Sequence, residues 1–95
     1  MQKQQIIETI KEYLTDKPVK KAYIFGSFTK KDANYNDIDL LLDFDYVENI
    51  YSFYYNIGND LQKKLNIKID VVSINGLSKH IQPYVDQEKV LIYER

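Results

Sequence analysis

The stretch from residue 22 to residue 45, AYIFGSFTKKDANYNDIDLLLDFD, constrains everything else in the chain. It opens with an apolar run, Ala22 to Phe25, that reads as a short buried strand. Gly26-Ser27 stops the run, a polar loop follows, and Asp37-Ile38-Asp39 leads directly into Leu40-Leu41-Leu42. Residues two apart in a strand share a face, so this spacing sets Asp37 and Asp39 side by side while Ile38 and Leu40 point into the core. Two carboxylates at the start of an apolar strand are costly neighbours unless positive charge sits between them. A divalent cation is the simplest candidate, and hard oxygen ligands suit Mg²⁺. Gly26 lets the backbone approach a ligand closely, and Ser27 offers a hydroxyl and a backbone N–H near a helix start, a favourable place for an anion. Phosphates on one side and a metal-binding acid pair on the other describe a nucleoside triphosphate site for metal-assisted phosphoryl transfer.

The flanking sequence supplies a scaffold for such a site. Residues 3 to 14 carry Ile6, Ile7, Ile10, Tyr13 and Leu14 at helical spacing, and Pro18 marks the end of that helix. Val19 to Phe25 is the first predicted strand, with Ala22 and Ile24 on one face and Tyr23 and Phe25 on the other. Gly26 to Lys31 reads as a phosphate-binding turn and short helix, Asp32 to Asn36 as a polar turn, and Asp37 to Asp43 as the second strand. A helix is expected from Tyr46 to Lys64, with Val47, Ile50, Tyr54, Ile57, Leu61 and Leu65 as its core stripe. Asp45 lies three residues before Glu48, a capping-box spacing at that helix start. Gly58 falls on the stripe, where it would allow close approach to the sheet. Tyr51, Tyr55 and Phe53 flank the stripe and either extend the core or form an edge for a partner.

Ile67 to Ser73 reads as a third strand with Asp70 inside an otherwise apolar run. A third carboxylate beside the first pair explains it; an edge-strand acid facing solvent is the plainer alternative. Asp43 lies two pleats beyond Asp39, so a structural role is expected for it, as for Asp45. Ser73, Asn75 and Gly76 form a turn, Leu77, Ile81, Tyr84 and Val85 suggest a broken or short helix with Pro83 in its first turn, and Lys89 to Tyr93 is a last strand. His80 is expected to face solvent or to cap. The order gives an α/β (α+β) domain, a small mixed sheet of about four strands with helices packed on it.

Composition narrows the possible activities. Ninety-five residues make one domain, here spanning 1–95. A formal net charge of −1 gives no electrostatic footprint for long nucleic acid. The chain has no cysteine and one histidine, which rules out a cysteine nucleophile and a zinc cluster. No run is apolar enough to span a bilayer and no signal-peptide pattern is present, so a cytoplasmic location is expected. Nine tyrosines against no tryptophan fit an AT-rich coding sequence, or an interface where rings are buried at one end and wet at the other.

Gly26-Ser27, nine intervening residues, then Asp37-x-Asp39 opening an apolar strand resembles the nucleotidyltransferase superfamily of the DNA polymerase beta type. The small size is similar to its minimal nucleotidyltransferase (MNT) family. The resemblance implies the polymerase beta-like fold and Mg²⁺-dependent transfer of AMP from ATP to a hydroxyl. It also implies one or two Mg²⁺ ions on Asp37, Asp39 and Asp70, with Asp70 helping to activate the attacking hydroxyl. The outer phosphates would lie on Gly26 and Ser27, assisted by Lys30. The family's Arg-Gly at the end of this segment is matched by Lys30-Lys31, so the charge is kept and the glycine is not. MNT proteins of this kind are paired with a HEPN-domain RNase toxin, a helical protein, and the implied activity is adenylylation of a toxin tyrosine, which makes the MNT chain an antitoxin. A helical second chain would then complete the site that larger members build with an added domain. The alternatives are the same chemistry on a small molecule with a helical partner chain, and a non-catalytic antitoxin that acts by binding.

Overall fold

The computed structural model describes residues 2–30 and 36–95. The first helix, α1 (Lys3–Leu14), buries Ile6, Ile10 and Leu14, the three positions that its apolar periodicity brings onto one stripe. It leads through Pro18 into β1 (Val19–Phe25), then a 3₁₀ turn over Gly26–Thr29, then β2 (Asp37–Phe44). A long helix, α2 (Ile50–Leu65), crosses back to β3 (Lys68–Ser73), and α3 (Gln82–Glu88) precedes β4 (Val90–Glu94). Lys31 and the 32–35 part of the expected polar turn lie outside the described residues.

The four strands form one mixed sheet in the order β3-β2-β1-β4. β1 pairs antiparallel with β2 and with β4, whereas β2 and β3 run parallel. Parallel neighbours need a crossover, and α2 is that connection. The main core lies between the sheet and the helices α1 and α2. Ile6, Ile10 and Leu14 meet Ala22, Ile24, Ile38, Leu40, Leu42, Ile57 and Leu61 there. Strand alternation therefore sends the even-numbered residues of β2 to this face and leaves Asp37, Asp39, Leu41 and Asp43 on the other. Leu41 is also fully buried. Its register partner is Tyr23, whose ring is covered by the Lys89 ammonium 4.8 Å from the centroid, so the segment after α3 shields the opposite face.

Two expectations about α2 are corrected. The helix begins at Ile50, not Tyr46, and Asn49 caps it, its side chain accepting from the Ser52 N–H at 3.1 Å. The expected Asp45–Glu48 capping box does not form, because Asp45 is engaged across the sheet edge. Arg95 donates to it at 2.7 Å and Lys20 lies 3.8 Å away. Val47 consequently falls outside the helix, and Ile50 is exposed rather than part of the stripe. The other end stops at Asn66 in the left-handed region (φ 56°), a conformation that asparagine tolerates better than most residues.

The flanking rings divide. Phe53 packs on Phe44 with centroids 4.9 Å apart and extends the core. Tyr51 and Tyr55 are 82% and 69% exposed and do not. Gly58 faces β3, yet a Cβ there would sit 3.4 Å from Val71 Cγ2 and 3.6 Å from the Ile69 carbonyl, which is ordinary contact.

Asn49→Ala is therefore expected to lose about 1 kcal/mol in urea denaturation, whereas Glu48→Ala stays within about 0.5 kcal/mol. Equal losses would return the cap to Asp45 and Glu48. Gly58→Ala is expected to raise the thermal midpoint, since helix propensity gains about 1 kcal/mol at little steric cost; a lowered midpoint would show that the contact with β3 needs the bare backbone.

Candidate active site

The parallel pairing of β2 with β3 brings the acids together. Asp37 stands opposite Lys68, Ile38 opposite Ile69, and Asp39 opposite Asp70. Partners in a ladder point to the same side of the sheet, so Asp70 emerges on the face that carries Asp37 and Asp39. Carboxylate oxygens from the three residues all lie within 4.8 Å of one another, and each side chain is half-buried. The edge-strand position of β3 is real, but Asp70 turns inward to this cluster.

Electrostatics follows from the crowding. The Asp39 carboxyl is held above the ordinary carboxylate range, first by burial and then by the charges of Asp37 and Asp70. Lys68 opposes the shift and lies 3.8 Å from Asp70. Sequence reasoning assigned Lys68 no role, although its place two residues before Asp70 on the same strand face is the signal that finds it.

The glycine-serine turn abuts the same cluster. Phe25, the last residue of β1, is the register partner of Asp39, so Gly26 begins the 3₁₀ turn beside that carboxylate. Gly26 has φ +81°, and a Cβ at this position would collide with Asp39 Oδ2. Glycine is required on both counts, backbone angle and space. The turn is tied internally by Thr29 Oγ1 donating to the Gly26 carbonyl at 2.7 Å and by the Lys30 N–H donating to the Ser27 carbonyl at 3.1 Å. The Lys30 ammonium is paired with Glu88 of α3 at 3.1 Å.

Thus Gly26, Asp37, Asp39 and Asp70 converge, and Ser27 follows Gly26 in the same turn. Asp43 stands away from the cluster, opposite Lys21 in the β1–β2 ladder, and Asp45 belongs to the Arg95 ion pair. His80 is exposed. Oxygen donors alone, closely spaced, with like charges that raise Asp39, are the donor set of a hard divalent cation.

The chain belongs to the polymerase beta nucleotidyltransferase family, whose model matches residues 8–95. No curated protein matches the sequence. Among solved structures, the fold resembles a complex of a tri-AMPylated Shewanella oneidensis HEPN toxin with an MNT antitoxin. That match has 22% identity and a TM-score of 0.70, covering 99% of this chain and 74% of the other. A toxin–antitoxin with AMP-PNP matches at 20% identity and TM-score 0.72, covering 100% and 75% of the two chains. A minimal nucleotidyltransferase matches at 21% identity and TM-score 0.72 over 95% of each chain. At such identities the likeness establishes the shared fold.

A carboxyl whose pKa is raised by folding holds its proton more tightly in the native state. Its contribution to stability is greatest below the unfolded carboxylate range and is lost as pH rises through the folded value. Asp39→Asn is therefore expected to raise the urea midpoint at pH 7 relative to the unsubstituted protein, with the gain shrinking as pH falls through the raised folded value and gone by about pH 4. Added Mg²⁺ should stabilise the unsubstituted protein and leave Asp39→Asn nearly unmoved. A midpoint that falls at neutral pH on substitution would contradict the crowding account.

Proposed function

We propose that this protein transfers AMP from ATP to a hydroxyl acceptor in a Mg²⁺-dependent reaction, and that the acceptor is a tyrosine of a partner HEPN-domain toxin. The protein is then an antitoxin that acts by adenylylation in the cytoplasm. The observation that carries the chemistry is the convergence of Asp37, Asp39 and Asp70 beside the Gly26 turn, where carboxylates and a close backbone approach meet at one point.

In this reading Gly26 and Ser27 receive the outer phosphates, and Lys30 assists once it exchanges Glu88 for the nucleotide. Asp37, Asp39 and Asp70 are the residues that would hold the cation. A divalent cation held by them would supply positive charge to offset that of the phosphates. Asp70 accepts the hydroxyl proton as the acceptor oxygen bonds to the α-phosphorus, and the bond to pyrophosphate breaks. The protein contributes position and charge rather than a covalent intermediate.

The acceptor assignment draws on the structural neighbours. One is a HEPN toxin carrying AMP groups in complex with an MNT antitoxin, and another holds AMP-PNP. The exposed Tyr51 and Tyr55, one turn apart on α2, give this chain a face suited to a protein partner. That face equally favours a second reading, inhibition of the partner by contact alone.

Intact-mass measurement separates the two. With ATP and Mg²⁺, the protein encoded beside this gene should gain whole AMP units, and the gain should vanish with EDTA or in the Asp37→Ala/Asp39→Ala variant. A stable complex with no mass gain, or full neutralisation of the partner in cells by Asp39→Ala, would favour contact inhibition. A small hydroxyl compound modified in place of the protein would move the acceptor to a small molecule.

A further inference from the structure

We infer that Lys3, at the start of α1, is a positioning residue for the nucleotide-binding turn; the inference rests on the nucleotidyl-transfer reading and extends its site beyond the sheet. The Lys3 ammonium donates to the Phe28 carbonyl at 2.8 Å and to the Lys30 carbonyl at 2.9 Å, residues 25 and 27 positions along the chain. The same ammonium lies 5.2 Å from the centroid of the Phe28 ring. One side chain therefore grips the turn at its last residues by two charge-assisted hydrogen bonds and a cation–π contact.

The geometry makes the grip consequential. Gly26–Thr29 is a short turn whose described internal ties are the Thr29 hydroxyl on the Gly26 carbonyl and the Lys30 N–H on the Ser27 carbonyl. Its first residue is fixed by the end of β1 and by the carboxylate of Asp39. Its end, beyond the sheet, presents the Phe28 and Lys30 carbonyls that accept from Lys3. Lys3 supplies their donor from α1, a helix locked onto the sheet by the fully buried Ile6 and Ile10. Phe28 is itself buried, so the anchor is a packed side chain as well as a polar one. Fixing residues 28 and 30 fixes Ser27 between them and Gly26, and with it the distance from the turn to the acids.

Lysine suits the task better than glutamine, because its ammonium adds full charge and a longer stem to donors for two carbonyls. A methionine would keep the apolar stem against the turn but leave both carbonyls without it. An arginine retains the charge and the capacity for two hydrogen bonds.

The test uses the whole chain, with MgATP binding and peptide-level hydrogen exchange measured on the unsubstituted protein, Lys3→Met, Lys3→Gln, Lys3→Arg and Asp39→Asn. Lys3→Met and Lys3→Gln are expected to weaken MgATP binding about tenfold, and Lys3→Arg by no more than about threefold. In the absence of nucleotide, exchange should rise in the peptide covering residues 27–30 in Lys3→Met and Lys3→Gln, with α2 and β3 unchanged. Should Lys3→Met fail to fold, Lys3→Gln carries the comparison. MgATP binding within twofold of the unsubstituted protein in both neutral variants would overturn the inference. So would faster exchange spread evenly over the chain, which marks a merely stabilising contact. If the unsubstituted protein binds no MgATP, the nucleotidyl-transfer reading fails and this inference with it, whereas binding that is lost in Asp39→Asn and unaffected at Lys3 sinks the inference alone.

Discussion

Three carboxylates within 4.8 Å of one another are the constraint on which this structure turns. Placing like charges so close on a half-buried surface is unfavourable, and the raised Asp39 carboxyl registers the cost. The sheet enforces the arrangement through the Asp39–Asp70 register of two parallel strands. The apolar residues alternating with the acids lock that register, because a one-residue slip of β2 would turn Ile38, Leu40 and Leu42 out of the core. Hydrophobic burial on one face thus sustains electrostatic tension on the other. A cation between the acids would relieve that tension.

The two faces of the sheet divide the work accordingly. Helices α1 and α2 cover one face and build the core, leaving the acids on the other, near the end of β1 where Gly26 turns away. The turn is the least regular component of the site, and it is supported from both sides. Lys3 reaches it from α1 through two backbone carbonyls, and Glu88 reaches it from α3 through the Lys30 ammonium. The turn beside the acids is therefore held by helices that contribute no carboxylate to the cluster.

Family membership defines the class of chemistry, and surface features bear on the acceptor. The exposed tyrosines at the start of α2 lie apart from the hydrophobic core, whereas Phe53 in the same helix is absorbed into it. The rings lie on opposite flanks of the helix, and only the flank that carries Phe53 meets the sheet, at Phe44. An aromatic surface of this kind gives a partner contact area at low entropic cost. The acids would then supply the reaction and the tyrosines the place of encounter.

Much of this was legible in the chain itself. Period-two alternation around Asp37 and Asp39 determined which residues of β2 face the core, and the run 19–25 determined β1 to the residue. Helical spacing likewise gave α1 its bounds and its buried stripe. Local pattern could not decide between Asp45 and Asn49 as the cap of α2, because the competitor for Asp45 is Arg95, fifty residues away. Nor could it show that Gly26 makes room for an Asp39 oxygen or that Lys3 reaches the turn. Each of these depends on which strands pair and which helix lies across them. Periodicity assigns a side chain to a face, since that is a property of consecutive residues; contact between distant residues is set by register and packing, which only the assembled sheet decides.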